Sequence, residues 1–267
     1  MDSSPIAHES GVWDNLQIMS ESVTPGTLSR ADSSGGSPVS ASENTIGRGR
    51  IAWIGGVLLL VAFGLSLSAH QYQRFPGDLP VTEGIQSISV PVFSDAMEVV
   101  SELGDWALAV PATAVAVVAL WLYKRRPDAL YIVVITLASA GLNRLVKELV
   151  DRPRPSADLV EVTTELGSKS FPSGHVVYAT TFYGLLLFYT YCLDVNPRWA
   201  LRASQVVLVA MLLGMGLSRV YLGAHWPSDV LGGYAVGGLY VAGVIWWRGT
   251  RFSLERVTTR LSLLRSS

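Results

Sequence analysis

Three short polar clusters interrupt an otherwise apolar chain, and their residue types are those that bind and transfer phosphate. Arginine and lysine attract an anion, and a histidine beside a carboxylate is a nucleophile or an acid–base group. Each cluster stands at the edge of an apolar segment long enough to cross a bilayer. The clusters are Lys147 with Arg154-Pro155, Pro172-Ser173-Gly174-His175, and Ser218-Arg219 with His225 and Asp229.

The first cluster supplies two cations. Lys147 ends an apolar segment, and Arg154 follows seven residues later between Pro153 and Pro155. Because neither proline continues a helix easily, the chain is expected to turn and to hold Arg154 near Lys147. Two close cations favour an anion, and the planar guanidinium suits phosphate oxygens. The alternative is a pair of cations that reach the membrane interface.

The second cluster opens the next apolar segment. Ser173 is expected to cap a helix, and the free backbone amides at that end favour an anion. Gly174 allows a ligand to approach the backbone closely. His175 would then stand beside a leaving group as a general acid. An ordinary capped helix start with an interfacial histidine is the alternative.

The third cluster places a histidine just before a helix. Pro227 fits the first turn of a helix, so Asp229 lies in that turn and His225 immediately precedes it. The carboxylate can then accept a hydrogen bond from one imidazole nitrogen and leave the other free to attack phosphorus. Alternatively, Asp229 only complements the helix dipole and His225 is a loop residue, but neither reading explains the nearby Arg219.

Composition favours a membrane protein. The chain has 267 residues, of which 49% are hydrophobic and 15% charged, and its mean hydropathy is +0.36, which is too apolar for an ordinary soluble domain. The net charge of −1 gives no reason to expect a nucleic-acid partner. The single cysteine, Cys192, is expected to be a buried inert thiol. No metal-ligand pattern of the C-x-x-C or H-E-x-x-H kind is present, and no cofactor is expected.

Six apolar segments predict an all-α integral membrane bundle of six transmembrane helices within a domain at 48–248, because lipid leaves backbone groups no partner outside the helix. The third segment carries Asn143 and Arg144 near its end, so its last turn is expected to face a polar cavity or the interface. The segments are Ile51–Ala69, Trp106–Tyr123, Ala129–Val146, Val176–Leu193, Ala203–Leu217 and Val230–Trp247.

Basic residues predict the orientation. With the amino terminus in the cytoplasm, twelve lysines and arginines flank the cytoplasmic ends of the segments and six flank the other ends. This asymmetry favours cytoplasmic termini and an active site on the extracytoplasmic side of what we expect to be the cell membrane. Half of the six outer cations belong to the three clusters: Lys147, Arg154 and Arg219.

The remaining segments are expected to lie outside the bilayer. Residues 1–47 are rich in Ser, Gly, Thr and Pro and predict a disordered cytoplasmic tail. Residues 249–267 predict a basic cytoplasmic tail on the inner leaflet. In the connection Tyr72–Asp105, the stretch Val92–Leu103 has helical apolar spacing and predicts an amphipathic segment on the outer surface. It guides a lipid headgroup to the site or simply packs on the bundle.

Acidic residues between the first two clusters have two interpretations. They could bind a cation, but a solvated loop with local pairing to Arg152 and Lys169 is the simpler interpretation. The residues are Asp151, Asp158, Glu161 and Glu165.

In chain order the clusters read K-x6-R-P, P-S-G-H and S-R-x5-H-x3-D. This pattern resembles the three-part signature of the type-2 phosphatidic acid phosphatase superfamily, which includes membrane lipid phosphate phosphatases and soluble vanadium haloperoxidases. The resemblance covers roughly residues 51–247 and departs from the signature at no position. Six membrane segments disfavour the haloperoxidase branch.

The resemblance implies roles for the cluster residues. His225 would attack phosphorus to give a phosphohistidine, Asp229 would orient it, and His175 would protonate the leaving oxygen. The phosphate would be bound by a second set of residues in place of a metal ion. That set comprises Lys147, Arg154, Ser173, Gly174 and Arg219.

Three functions remain open at the level of sequence. The leading one is hydrolysis of a lipid phosphate or diphosphate, such as phosphatidic acid, phosphatidylglycerol phosphate or a polyprenyl diphosphate. A phosphotransferase would use the same site, and a non-catalytic binder or transporter of anionic lipids is a third reading. The oligomeric state is also open, since the pairs Gly232-Gly233 and Gly237-Gly238 serve intramolecular packing as readily as a dimer.

Overall fold

The computed structural model describes residues 39–163, 167–192 and 197–248. Within these ranges the regular secondary structure is entirely helical, which confirms the all-α prediction. The eight helices are α1 (Val39–Gln71), α2 (Asp78–Gln86), α3 (Pro91–Glu102), α4 (Trp106–Leu122), α5 (Arg126–Val150), α6 (Gly174–Cys192), α7 (Arg198–Tyr221) and α8 (Pro227–Arg248).

Helix α6 lies at the centre of the bundle and packs against α5, α7 and α8. Its side chains include several with no exposed surface, such as Val176, Ala179 and Leu185. The outer helices α1, α4, α5 and α7 instead expose many large apolar side chains, which is the pattern of a lipid-facing surface. Helix α1 packs on α8, α4 packs on α5, and α3 packs on α7.

The expected count of six spans is met only in part. Four helices, α1 over Gly47–Gln71, α5, α7 and α8, are long and apolar enough to cross a membrane, and α3 with α4 forms a fifth unit bent by 63°. Helix α6, with 19 residues, is not among these spans, and it carries several hydroxyl groups, including Thr180 and Thr181. Since neighbouring helices surround α6, its composition does not have to match lipid.

The boundaries of the expected tails differ from the structure at one place. Helix α1 begins at Val39, so the end of the segment 1–47 that sequence composition predicts as disordered is helical. Once a helix has formed, each added residue gains a backbone hydrogen bond without a new nucleation cost, which favours this extension. Residues 1–38 and 249–267 lie outside the described residues.

Four helix ends meet at one end of the bundle, and the three polar clusters are there. Lys147 is in the last turn of α5, α6 begins at Gly174, Arg219 is in the last turn of α7, and Asp229 is in the first turn of α8. Because these helices alternate in direction, segments far apart in sequence reach the same face. The bundle therefore carries its polar clusters on one side.

Glycines on α8 allow the close packing that brings α8 to this face. A Cβ at Gly232 would lie 2.4 Å from the Phe171 ring, and one at Gly233 would lie 2.8 Å from Val176 Cβ. A Cβ at Gly237 would lie 2.5 Å from Thr180, and one at Gly238 would lie 3.1 Å from Leu58. All four glycines of the two pairs thus face other segments of the same chain: Gly232 faces the loop before α6, and the other three face helices.

The connection between the first two apolar segments contains α2 and α3. The predicted helical stretch Val92–Leu103 is confirmed as α3, which packs against α7. Pro91 is the first residue of α3, where its missing N–H is not needed. The short break between α3 and α4 includes Gly104 and Asp105, which reach the polar face described next.

Candidate active site

The three clusters contact one another through hydrogen bonds. Arg154 Nη1 donates to the carbonyl oxygen of Ala224 at 2.6 Å, which joins the first cluster to the third. The backbone N–H of Ser173 donates to the carbonyl oxygen of Asp229 at 3.1 Å, which joins the second cluster to the third. The three clusters, which the predicted topology places on the same side of the membrane, are therefore in contact in the fold.

His225 is held in a tight turn between α7 and α8. Its backbone N–H and that of Ala224 both donate to the carbonyl oxygen of Arg219 at 3.1 Å. Gly223 has a φ of +65°, and a Cβ there would lie 1.9 Å from the carbonyl oxygen of Glu161. Only glycine fits this turn, and the turn directs His225 back into the protein, where it is 1% exposed.

The two ring nitrogens of His225 have different partners. Arg154 Nη1 lies 3.1 Å from Nε2, and because a guanidinium only donates, Nε2 must accept and carries no proton. The proton is then on Nδ1, which faces Asp229 Oδ2 at 3.6 Å. The tautomer required for a nucleophilic Nε2 follows from these contacts.

The electrostatic surroundings keep His225 neutral. Burial lowers the pKa of His225 well below its ordinary value, and the charges of Arg154, Lys147 and Arg219 lower it further. Burial also lowers the pKa of Arg154, while the charge of Asp229 opposes that effect. A neutral imidazole with a free lone pair, beside several cations, is the form that can attack an electrophilic phosphorus.

Asp229 makes more contacts than the sequence indicates. Its carboxylate accepts hydrogen bonds from the backbone N–H of Trp226 at 2.9 Å and from the hydroxyl of Ser170. Ser170 Oγ also lies 3.4 Å from His225 Nδ1, so this hydroxyl sits between the carboxylate and the ring. Asp229 therefore caps α8 and also faces His225 Nδ1, so its contacts fit both alternative readings of this residue.

Arg152 belongs to the site, although sequence reasoning assigned it to the solvated loop. It is 1% exposed, and its guanidinium donates to Asp229 Oδ1 at 2.6 Å and to Asp78 Oδ2 at 2.7 Å. It also donates to Ser228 Oγ at 2.8 Å, and Ser228 in turn donates to Asp78. We call Arg152, Asp78, Ser228 and Asp229 the anchor cluster. The expected pairing of Arg152 with nearby loop acids is wrong, because its carboxylate partners come from α2 and α8.

The other loop acids behave as a solvated surface. Asp151 pairs with Lys169, and both side chains are largely exposed. Their hydrogen bond raises the pKa of Lys169. Asp158 is exposed and accepts a hydrogen bond from Ser156 at 3.3 Å. Glu165 lies outside the described residues.

Three further cations at this face have no carboxylate partner. We call Lys147, Arg154 and Arg219 the cation cluster, and among the described residues none of them forms an ion pair. Lys147 donates to the carbonyl oxygen of Lys169, and Arg154 donates to that of Ser168 at 2.7 Å. Arg219 donates to Ser101 Oγ, while its buried Nε has no hydrogen-bond partner in the described part of the chain.

The second cluster contributes an orphan hydroxyl and a helix start. Ser173 is fully buried, and its Oγ has no hydrogen-bond partner among the described residues. Gly174 is the first residue of α6, and a Cβ there would lie 3.1 Å from Asn143 Nδ2. His175 Nε2 lies 2.8 Å from Asp105 Oδ1. A free hydroxyl, a helix amino terminus and three uncompensated cations together favour a bound oxyanion.

Sequence reasoning missed four residues at this face. Ser170, Asp78 and Arg152 surround Asp229, and Asp105 contacts His175. In contrast, Ser218 of the third cluster turns its hydroxyl to the carbonyl oxygen of Met215 on its own helix, at 2.8 Å. Of the missed residues, Arg152 has the one local signal, a second arginine two positions away in Asp151–Pro155, because burying one arginine of such a pair requires carboxylates from elsewhere in the chain.

In the ranges that the structure describes, no group of three or more His, Cys, Asp and Glu side chains could hold a metal ion. The carboxylates nearest the clusters are occupied: Asp229 and Asp78 by Arg152, and Asp105 by His175.

Comparisons with known proteins agree with this architecture. The family model of the PAP2 superfamily matches residues 128–253, a range that includes every residue from Lys147 to Asp229. Phosphatidylglycerophosphatase B of Bacillus subtilis is 27% identical over 182 residues, which cover 67% of this chain and 87% of that protein. Decaprenylphosphoryl-5-phosphoribose phosphatase of Mycobacterium tuberculosis is 38% identical over 95 residues, 35% of this chain and 46% of that protein.

The fold has a counterpart among solved structures. A transmembrane PAP2-type phosphatidylglycerolphosphate phosphatase from Bacillus subtilis superposes with a TM-score of 0.67 at 23% identity, over 75% of this chain and 98% of that chain. At this identity the likeness concerns the fold. The sequence match, the helical membrane fold and the order of the three clusters establish that this chain belongs to the PAP2 superfamily.

Proposed function

We propose that this membrane lipid phosphatase hydrolyses its substrate through a phosphohistidine on His225. The observation that carries the proposal is the environment of the His225 ring. Nε2 faces Arg154 at 3.1 Å as an acceptor, while Nδ1 faces the Asp229 carboxylate at 3.6 Å. A neutral histidine, oriented by a carboxylate and surrounded by cations, is suited to attack a phosphate that those cations bind.

In the first step, the Nε2 lone pair would form a bond to phosphorus while the bond to the lipid oxygen breaks. His175 would give that oxygen a proton, so the lipid leaves as a neutral alcohol. The phosphorylated ring would carry positive charge, which the carboxylate of Asp229 stabilises. Arg152 and Ser170 hold that carboxylate in place.

Charge on the phosphoryl oxygens would be stabilised by the cation cluster. Lys147, Arg154 and Arg219 form no ion pair among the described residues, so a phosphate would be their first anionic partner at this face. The orphan hydroxyl of Ser173 and the amide of Gly174 add hydrogen-bond donors. In the second step a water molecule would attack phosphorus, His175 would take its proton, and inorganic phosphate would leave His225.

For the substrate we propose a glycerolipid phosphate monoester, such as phosphatidic acid or phosphatidylglycerol phosphate. A relative that matches over 182 residues is named as a phosphatidylglycerophosphatase, which supports this choice. Other relatives are named as phosphatases of lipid A and of undecaprenyl diphosphate, so a polyprenyl diphosphate is the competing substrate. Both place a phosphate at the same depth beneath an apolar tail.

We also propose that the active site faces the extracytoplasmic side of the cell membrane, with both terminal tails, 1–47 and 249–267, in the cytoplasm. The concentration of the three clusters at one end of the bundle and the excess of basic residues at the other support this orientation. A Cys192→Ala, Asp158→Cys variant should react with a membrane-impermeant maleimide in intact cells. Reaction only after the cells are opened would place the site in the cytoplasm.

Purified protein in detergent micelles tests the activity itself. With phosphatidic acid, phosphatidylglycerol phosphate and a polyprenyl diphosphate as separate substrates, and with a chelator present, we expect release of inorganic phosphate fastest from a glycerolipid monoester. His225→Ala should reduce release to background. Transfer of phosphate to an added alcohol without free phosphate would identify a transferase, and strict dependence on added metal would contradict the cation-based site.

A further inference from the structure

The junction between α3 and α4 reaches the face on which the three clusters meet. Its two helices are bent by 63° relative to each other, and the bend brings Ser101 and Asp105 to two different cluster residues. Arg219 donates to Ser101 Oγ, and Asp105 Oδ1 lies 2.8 Å from His175 Nε2. This junction precedes the residues matched by the family model, which begin at position 128.

Gly104 makes the close approach possible. A Cβ at this position would lie 2.6 Å from His175 Cδ2 and 2.8 Å from Met215 Cε. A side chain at this position would clash with the His175 ring and the end of Met215 unless one of them or the junction moved. The backbone therefore runs directly against the ring, which places the next residue, Asp105, within hydrogen-bond distance of it.

The carboxylate of Asp105 does not cap α4, although Asp105 immediately precedes that helix. Asp105 is the N-cap residue of α4, where an aspartate side chain usually accepts a hydrogen bond from its own helix. Here the side chain makes no capping hydrogen bond, and its oxygen is directed to His175, seventy residues away along the chain. That choice of partner indicates a role in the site rather than in helix stability.

We propose that Asp105 is a positioning residue that holds His175 through Nε2 and leaves Nδ1 to exchange a proton with the leaving group. This inference rests on the proposed function of His175 as the acid. Three charged groups face His175: the carboxylate of Asp105 and the guanidinium groups of Arg219 and Arg154. Asp105 is the carboxylate that can balance the two guanidinium groups when His175 carries its second proton.

The two histidines are thus held by carboxylates through opposite nitrogens. Asp229 faces Nδ1 of His225 and leaves Nε2 as the nucleophile, whereas Asp105 faces Nε2 of His175 and leaves Nδ1. The Asp229 side chain is fully buried, while that of Asp105 is 53% exposed. An exposed pair suits an acid that must recover protons from water, and a buried pair suits a nucleophile that must stay unprotonated.

The proton transfer in this proposal is balanced. As His225 bonds to phosphorus and the ester bond breaks, the leaving alkoxide takes the Nδ1 proton, and His175 becomes neutral with its Nε2 proton still donated to Asp105. When water attacks the phosphohistidine, Nδ1 takes a water proton, the hydroxide oxygen bonds to phosphorus and the bond to His225 breaks. His175 is then protonated again.

The dependence on the leaving group tests this role. An alkoxide is a strong base and needs the proton, whereas p-nitrophenolate is a weak base and leaves without one. For Asp105→Asn we expect kcat/KM to fall about 10- to 100-fold with a short-chain phosphatidic acid, and less than about 3-fold with p-nitrophenyl phosphate. Asp105→Glu should restore most of the loss with the lipid.

Matched controls separate this role from a structural one. Asp95→Asn removes the same charge from an exposed, unpaired position on α3 and should leave both substrates unaffected. Equal losses with both substrates, or no loss with either, would overturn the inference. Because both measurements use kcat/KM of the intact enzyme, loss of folded protein lowers both equally and counts against the inference. Activity remaining in His225→Ala would instead refute the proposed function on which the inference rests.

Discussion

Arg152 and Arg154 stand two residues apart in the loop after α5, yet they have opposite surroundings. Arg152 is buried in the anchor cluster, where its guanidinium contacts the carboxylates of Asp78 and Asp229. Arg154 is only partly buried, and its partners are carbonyl oxygens, a serine hydroxyl and the ring of His225. The same residue type therefore supplies a neutralised structural contact in one case and an uncompensated charge in the other.

This difference shows that partners, rather than residue type, decide which cation can bind a phosphate. A guanidinium that already contacts two carboxylates gains little from a third anion, whereas one bonded to neutral acceptors keeps its full attraction for phosphate. The anchor cluster holds the Asp229 carboxylate beside Nδ1 of His225, whereas Arg154 of the cation cluster lies beside Nε2.

The largest effect on stability is expected from Arg152→Ala. Its removal leaves the carboxylates of Asp78 and Asp229 buried without a counter-charge, which should lower the free energy of unfolding by about 3–5 kcal/mol. Thermal denaturation in detergent measures the change. Arg74→Ala, at an exposed arginine of the neighbouring connection, is the control and should leave the melting temperature unaltered. A melting temperature equal to that of the parent in Arg152→Ala would show that the anchor cluster does not stabilise the fold.

Arg154→Ala should affect catalysis instead of stability. Loss of one charge-stabilising donor is expected to lower kcat/KM by about 10²–10³-fold, with a melting temperature close to that of the parent. Steady-state kinetics and thermal denaturation on the same preparation give both quantities. The contrast between the two arginines would fail if Arg154→Ala unfolded as readily as Arg152→Ala, or if it retained full activity.

A smaller effect is expected on kcat/KM and on stability when the pH is lowered. Because burial and nearby cations lower the pKa of His225, its nucleophilic form should persist below pH 6.5, and the acid limb of kcat/KM attributable to His225 should lie below that value. The unfolded chain binds a proton on this histidine near pH 6.5 while the folded chain does not, so stability falls as pH drops below about 6.5. Lys147→Met removes one cation and should move the limb towards higher pH. A limb at or above pH 6.5 in the parent would contradict a neutral, buried nucleophile.

The sequence supports the convergence of the three clusters because their spacing fits helix ends. Pro227 predicts the start of α8, and it correctly places Asp229 in the first turn with His225 just before it. The helical stretch before Trp106 is also predictable from its apolar spacing. These features depend on local patterns of a few residues, so they can be predicted from the amino-acid sequence.

Other parts of the site depend on contacts between distant residues. Arg152 meets Asp78 and Asp229, which are 74 and 77 residues away, and Ser170 meets Asp229 at a separation of 59 residues. No local pattern indicates such pairs. For the same reason the sequence gives no sign that Asp105, at the end of the connection Tyr72–Asp105, meets His175 seventy residues further on. The sequence also predicts a span at Val176–Leu193, but it does not indicate that other helices surround this span as they surround α6 in the fold.

Trapping the phosphorylated enzyme tests the central claim most directly. A rapid-quench reaction with ³²P-labelled phosphatidic acid should give a protein-bound phosphate that is stable in base and labile in acid, as a phosphohistidine is. Under the same conditions His225→Ala should carry no label, whereas His175→Ala should still become labelled with a substrate that has a good leaving group. Labelled His225→Ala protein, or a base-labile adduct in the parent, would contradict His225 as the nucleophile.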